Sequence, residues 1–289
     1  MRGSPAHVSV IVPARNAART LVQQLDAIYE QDYGGSFDLI VAVNGGRDGT
    51  AEAVDRWTRG RGFGKAVDAA AGRGPGYARN RGAAAARGDF LAFCDADEVV
   101  SRGWLRALVA EAERADVVTG PHATDLLNEP PVLQSQSVPP PDLRFHGFLP
   151  IASSSNCGVW KGVFEALGGF DEQRHSGEDV SFSWRAQLGG FDLSVAEDAL
   201  VHKRFRPSRL AIAPQYFRHG LGDAWLYSRF AAAGMPRRNA REAMREWLAI
   251  ARGLPSLAGT PGRWGRVLQM ASLSCGRIAG SARYRVLFL

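Results

Sequence analysis

Through its first part the chain alternates two rhythms of apolar residues. Short runs at 8–12, 37–43 and 90–94, apolar but for Ser9 and Asp38, read as buried strands. Between them lie segments with apolar residues three and four apart: 18–30, with Leu21, Leu25 and Ile28 on one face, then 50–59 and 76–87. This order predicts β-α-β units with short links, and hence a mostly parallel sheet covered by helices on both sides. A short strand at 66–69, a helix at 104–114 and a strand at 116–119 extend the series. Prolines then crowd 126–150, with Pro130-Pro131 and Pro139-Pro140-Pro141, and predict a long loop. Regular structure resumes near Ser153. Helices are expected at 160–167 and 179–188, followed by a strand through Val195 that leads to His202.

Beyond Pro207 the texture changes to arginine-rich helices without strands. Asn239 with Glu242 three residues on forms a capping-box pattern. Met244, Trp247, Leu248 and Ala251 follow at helical spacing, which predicts a core-facing stripe. A second stripe runs through Trp264, Val267, Leu268, Ala271, Cys275 and Ile278, flanked by Arg263, Arg266 and Arg277. The pattern therefore divides the chain into an α/β unit at 1–206 and a basic helical extension at 207–289.

Charge sharpens this division. The 289 residues carry a net +6, yet from Lys203 onward 16 Lys/Arg stand against 3 Asp/Glu, while the preceding part has 19 against 26. An acidic body with a basic tail points to anionic partners: phosphate esters, anionic lipid or nucleic acid. Nucleic acid is disfavoured, because Trp225, Trp247 and Trp264 sit at helix-core spacing rather than interleaved with Lys/Arg on a sheet. Amphipathic helices with arginine flanks suit peripheral contact with an anionic membrane surface. The alternative of equal weight is that they pack on the α/β unit with their arginines solvated. Cys94, Cys157 and Cys275 are odd in number and far apart, so neither a disulfide framework nor a zinc site is expected, and a reducing, cytoplasmic setting is. The apolar run at 8–12 is too short for a signal segment, and no stretch nears the 18 or so apolar residues that span a bilayer.

The candidate chemistry gathers where strands end. Asp95 and Asp97 follow the run at 90–94, one residue apart. Like charges so placed repel unless a proton or cation lies between them, and a hard divalent cation shared with substrate phosphates is a natural occupant. The plain alternative is a turn and a helix cap. Pro13-Ala14-Arg15-Asn16 ends the first strand, and Asn44-Gly45-Gly46-Arg47-Asp48-Gly49-Thr50 ends the second, where Asp48 or Thr50 is suited to cap a helix. Gly74–Gly82 places Arg79 and Arg81 beside a helix N-terminus, a phosphate-binding environment. It lacks the strand and glycine spacing of a dinucleotide fingerprint, and Gly60–Lys65 lacks the Ser/Thr of a P-loop. Further on, Gly168-Gly169-Phe170-Asp171 precedes Ser176-Gly177-Glu178-Asp179 at a helix start, where acids are dipole-stabilised or face a site across the sheet end. His202 is either a ligand or a structural histidine.

Taken in order, Val8-Ser-Val-Ile-Val-Pro-Ala-Arg-Asn16, Asn44–Thr50, Ala78-Arg-Asn-Arg-Gly82, Phe93-Cys-Asp-Ala-Asp97, Gly168–Asp171, Gly177-Glu-Asp179 and His202 resemble the family 2 glycosyltransferases of GT-A fold. These are inverting enzymes that use nucleotide-sugar donors. The resemblance covers residues 7–206. It implies a Rossmann-like, mostly parallel sheet sandwiched by helices, with the arginine-rich helices appended. It also implies roles. Pro13, Arg15 and Asn16 would border the nucleoside, with Asn44 and Gly45 nearby, and Arg79 would approach the donor phosphate or sugar. Asp95 would sit at the ribose and metal-bound water, while Asp97 and His202 would hold Mg²⁺ or Mn²⁺. Asp179 matches the general base and Glu178 its neighbour, and Ser155-Asn156-Cys157-Gly158 matches a loop near the donor sugar. The family often carries Asp-Asp where Val43 and Asn44 stand here. A valine cannot accept a hydrogen bond from a base, so UDP, GDP and dTDP all stand as candidate carriers. The acceptor would be lipid-linked or a small natural product. The competing readings are an inactive scaffold of the same fold, a basic anion-binding or nucleic-acid-binding protein, and a sugar-phosphate nucleotidyltransferase. The last lacks support because Pro13–Asn16 does not fit its Gly-rich signature.

Overall fold

The computed structural model of the protein describes residues 3–133, 140, 144–172, 176–206, 208–254 and 261–289. The first apolar run forms β1 (Val8–Ala14), buried along most of its length, followed by α1 (Leu21–Tyr29), β2 (Phe37–Val43), α2 (Thr50–Arg61), β3 (Lys65–Asp68), α3 (Pro75–Ala84) and β4 (Phe90–Cys94). A two-residue β5 (Val99–Val100), α4 (Trp104–Ala112), β6 (Val117–Thr119), β7 (His122–Ala123) and the short α5 (Pro130–Leu133) come next. Then come β8 (Asn156–Trp160), α6 (Lys161–Ala166), α7 (Glu178–Leu188), β9 (Leu193–Val195) and β10 (Val201–His202). The tail comprises α8 (Arg209–Phe230), a 3₁₀ turn at Ala231–Ala233, α9 (Ala240–Gly253) and α10 (Pro261–Tyr284).

The main sheet has the order β3-β2-β1-β4-β8-β6-β9, and a small sheet has the order β5-β10-β7. β1, β2, β3 and β4 are mutually parallel, whereas β8 runs antiparallel to both β4 and β6. Two apolar layers cover the sheet. One joins Val10, Val12, Leu25, Ile28, Trp104 and Leu108, the other Ile11, Phe93, Phe164, Phe170 and Phe182.

The sequence expectation of a loop at Ser155–Gly158 is corrected by β8. Its residues from Asn156 to Val159 are buried at the centre of the sheet. The segment lacks an apolar run because Gly158 must stay bare. A Cβ there would lie 2.4 Å from the Phe90 ring, which occupies the space instead. The proline-rich stretch contains α5 and a bridge between Phe145 and Leu149, while 134–139 and 141–143 lie outside the described residues.

α8 and α10 pack at very short range. A Cβ on Gly220 would fall 2.1 Å from the Leu273 carbonyl oxygen, so only glycine permits this approach. Trp225, Leu226, Phe230, Met235 and Phe288 form a third core with Val180 and Trp184 of α7, which fixes the tail to the α/β unit. Buried ion pairs lock the helices together. Arg277 donates to Asp223 at 2.8 Å and to Glu246 at 3.2 Å, and Arg238 and Ser274 also donate to Glu246.

These ion pairs rotate α9 away from the sequence expectation. Glu246 is drawn inward with Ala243 and Ile250, so Met244, Trp247 and Leu248 are exposed rather than core-facing. The side chain of Trp264 lies outside the described residues.

Candidate active site

Because β2, β1 and β4 are parallel neighbours, the turns that follow them emerge on one edge of the sheet, where open α/β sheets bind ligands. The first two turns are laced together. Asn16 adopts a left-handed conformation (φ 51°), and its side-chain oxygen accepts a hydrogen bond from the Arg47 N–H at 3.2 Å. Thr50 Oγ1 and Asp48 accept from the N–H groups of Ala17 and Ala18, at 2.9 and 3.0 Å. Pro13 is half-buried, and Arg15 and Asn16 are exposed beside it. Asn44 is buried, and its amide donates to the carbonyls of Ala69 (2.5 Å) and Gly72 (3.1 Å), which shapes the loop before α3. Gly45 follows at φ 66°. Asp68, which pairs in register with Val43, adds an exposed carboxylate on this edge.

The third turn carries Asp95 and Asp97. Gln24 holds it from α1, donating to the Asp95 carbonyl and accepting from the Val100 N–H. Arg79 lies beneath it, only 3% exposed. Its Nη2 donates to Asp95 at 2.6 Å and its Nη1 to Glu178 at 3.2 Å, joining the turn after β4 to the start of α7. α3 can come this close because Gly76 has no side chain: a Cβ would lie 2.8 Å from the Asp171 carbonyl oxygen. Arg79, expected on the donor side, thus has a buried guanidinium engaged by the carboxylates of Asp95 and Glu178.

The two acids at the start of α7 diverge. Glu178 is buried against Arg79, and burial, reinforced by the Asp179 charge, pushes its carboxyl up to about 7 despite that partner. Burial opposes the charge on Arg79, but Asp95 and Glu178 more than offset it and raise its pKa. Asp179 is half-exposed, accepting from the Ser154 N–H at 3.4 Å and the Val180 N–H at 2.9 Å. One acid of the pair is therefore buried and ion-paired, and the other is half-exposed.

On the other flank, Glu98 is buried with Lys203 at 2.7 Å, and burial pushes Glu98 up to about 7. His122, beside Glu98 and Ser155, is driven by burial down to about 3 and stays neutral. Asp97 is exposed, and the surrounding protein together with the Asp95 charge raises its pKa. The main chain of Asp97 is fixed by Arg204. His202 pairs with Val99 in the small sheet, and its Nδ1 is buried without a partner.

Asn156 stands at this edge, in register with Cys94 at the end of β4, but its side chain turns into the fold. Its oxygen accepts from Trp104 Nε1 at 2.8 Å, and its amide donates to Pro121 and Ala199 at 3.0 and 2.7 Å. The polar atoms of its side chain are thus all engaged inside the fold. Sequence reasoning missed Gln24 and Asp68, which carry no motif, and Lys203, whose position next to His202 was the available signal. It also missed Tyr216 and His219 of α8, whose rings stack 5.4 Å apart. The charge of Asp179 reaches His219, which burial holds below its usual pKa.

Residues 9–163 match the family model described as glycosyl transferase family 2. A pre-mycofactocin glycosyltransferase of Mycobacterium tuberculosis is 31% identical over 225 residues, covering 73% of this chain and 46% of the relative. The chain thus spans about half the length of that relative. Glycosyltransferase AglE of Haloferax volcanii is 27% identical over 240 residues, covering 78% of this chain and 76% of the relative. Among solved structures, a mannosyltransferase from Pyrobaculum calidifontis in complex with GDP-Man and Mn²⁺ superimposes with a TM-score of 0.67 at 20% identity. That match covers 96% of this chain and 87% of the other. Residues 1–349 of Staphylococcus aureus TarS with UDP-GlcNAc give a TM-score of 0.58 at 16% identity, covering 100% of this chain and 93% of the other. These likenesses establish the shared α/β fold.

Proposed function

The chain belongs to glycosyl transferase family 2, and we propose that it moves a sugar from a nucleoside-diphosphate donor to an acceptor hydroxyl, with inversion and with Asp179 as general base. The observation that carries this reading is the Arg79 bridge. One buried guanidinium ties Asp95, on the donor side, to Glu178, the residue before Asp179.

The laced turns of Asn16 and Asn44–Thr50 offer the nucleoside a rigid, polar bed, with Pro13, Arg15 and Gly45 along it. Asn44 acts on the donor through the loop it shapes rather than by direct contact. Asp179, half-exposed and fixed by two backbone N–H groups, is free to take the proton from an attacking hydroxyl. Attack from the face opposite the leaving diphosphate inverts the anomeric carbon in one step. Glu178 and Arg79 position Asp179 and Asp95 and touch no reacting atom.

The residues present fit a divalent cation. Asp97 offers an exposed carboxylate, and His202 has a buried nitrogen without a partner. Among the described residues no three His, Cys, Asp or Glu side chains converge as a ready cage. This donor set suits Mg²⁺ or Mn²⁺ that takes its remaining ligands from diphosphate and water. Bound there by Asp97 and His202, with Asp95 beside them, the cation would neutralise charge on the departing diphosphate.

Residues 1–206 are taken as the catalytic unit and 207–289 as an extension whose Tyr216–His219 pair borders the acceptor side, for a lipid-linked or natural-product acceptor. The test is release of nucleoside diphosphate from a panel of UDP-, GDP- and dTDP-sugars with Mn²⁺, water serving as a slow acceptor. Turnover of one donor that is lost in Asp179→Asn supports the reading; turnover of none contradicts it.

A further inference from the structure

The outward face of α9 has no role in the proposed reaction. In the 3.6-residue repeat, Met244, Trp247, Leu248 and Ala251 make one continuous stripe, and Leu254 extends it at the helix end. These side chains are uncovered: Met244 is 61% exposed, Trp247 37%, Leu248 47% and Leu254 52%. Arg241, Arg245 and Arg252 form a row along one edge of the stripe, and all three are exposed. The opposite edge is closed by Ala243 and Ile250, which pack inward. The arrangement is a helix lying flat on the protein, with an apolar strip outward and cations to one side.

Charge selects the occupant. Of the three acids beyond Lys203, Asp223 and Glu246 are consumed by Arg277 and Arg238 inside the helical bundle. Only Glu242 is left exposed. A second copy of this tail would therefore bring arginines to arginines, with no acidic row to meet them. No helix among the described residues is long and apolar enough to cross a membrane. A helix of this make-up instead lies in the plane of a bilayer interface, with its tryptophan and leucines among the acyl chains and its arginines at anionic headgroups.

We propose that α9 is a membrane-interface helix that docks the protein on an anionic bilayer through the Met244–Leu254 stripe and the Arg241/Arg245/Arg252 row. The inference rests on this helix and not on the catalytic reading. The docking surface would deliver an acceptor carried on lipid, and it would exist whether or not the acceptor is one.

Flotation of the intact protein with vesicles tests it. Wild type should float with phosphatidylcholine vesicles containing phosphatidylglycerol at low salt, stay behind with pure phosphatidylcholine, and be released as salt rises. Replacing the three arginines by glutamine should weaken binding about 100-fold, at roughly 0.7 of a decade per basic residue. Trp247→Ser with Leu248→Ser should abolish it, and because Trp247 is only 37% exposed, Met244→Ser with Leu248→Ser, at 61% and 47% exposed, checks the loss at unchanged melting temperature. Three results would overturn the proposal: no flotation with anionic vesicles at low salt, equal flotation of any variant, or a wild-type dimer that the Trp247/Leu248 variant dissolves. Nucleotide-induced stabilisation of the same samples reports separately on the donor site.

Discussion

Arg79 and Asp95 meet at 2.6 Å in a place where the arginine is almost wholly buried and the aspartate is one-third open to solvent. The guanidinium is buried, and its charge is balanced by Asp95, by Glu178 at 3.2 Å and by the nearby Asp179 charge. Removing it strands a buried acid. Arg79→Ala should cost about 3 kcal/mol at pH 8, within the usual range for breaking a buried pair. The cost should be smaller at pH 5, where an unpartnered Glu178 is protonated. Denaturant unfolding at the two pH values checks this.

The Glu178 carboxyl titrates near 7 in the folded protein and at 4.5 in a free chain, so between these values the folded state holds the extra proton. Stability from this group is therefore greatest at low pH and falls as pH rises from about 4.5 to about 7, by at most roughly 3 kcal/mol. Glu178→Gln should flatten that part of the stability profile, measured by thermal unfolding across the window.

Asp179→Asn should leave the fold and nucleotide binding intact, because the amide keeps one acceptor oxygen for the Val180 N–H and gives up only the long 3.4 Å bond from the Ser154 N–H. Its kcat should drop by roughly 10²–10⁴-fold, the usual loss on removing a general base. Donor turnover and nucleotide-induced melting shifts, measured side by side, separate the two effects.

Asn156→Ala should act in the opposite manner. It strands Trp104 Nε1 and the Ala199 carbonyl in the sheet interior and leaves the Pro121 carbonyl with the Val201 N–H alone. The expected loss is about 3 kcal/mol or more, at one to three per stranded group with partial relaxation. Nucleotide affinity of the folded fraction should not change.

Legibility in the sequence followed local chemistry. The strands with apolar runs, the Asp95–Asp97 turn and the acids opening α7 are visible because each is written in a few consecutive residues. β8 is not, because its burial depends on Gly158 yielding space to Phe90, a neighbour 68 positions away in the chain. Arg79 looked like a phosphate ligand beside a helix N-terminus. Its carboxylate partners, Asp95 and Glu178, are brought to it only by the fold. The α9 stripe read as core for the same reason, since helical spacing marks an apolar face without telling which way it turns. Glu246, held by three side chains, decides that.

The most direct test of the donor site is a thermal-shift titration of the intact protein with UDP, GDP and dTDP, each with and without Mn²⁺. The account predicts that one diphosphate stabilises the protein only with the metal, that Mn²⁺ alone does little, and that Asp97→Ala abolishes the shift. Metal-independent stabilisation that survives Asp97→Ala, or no response to any of the three, would contradict it.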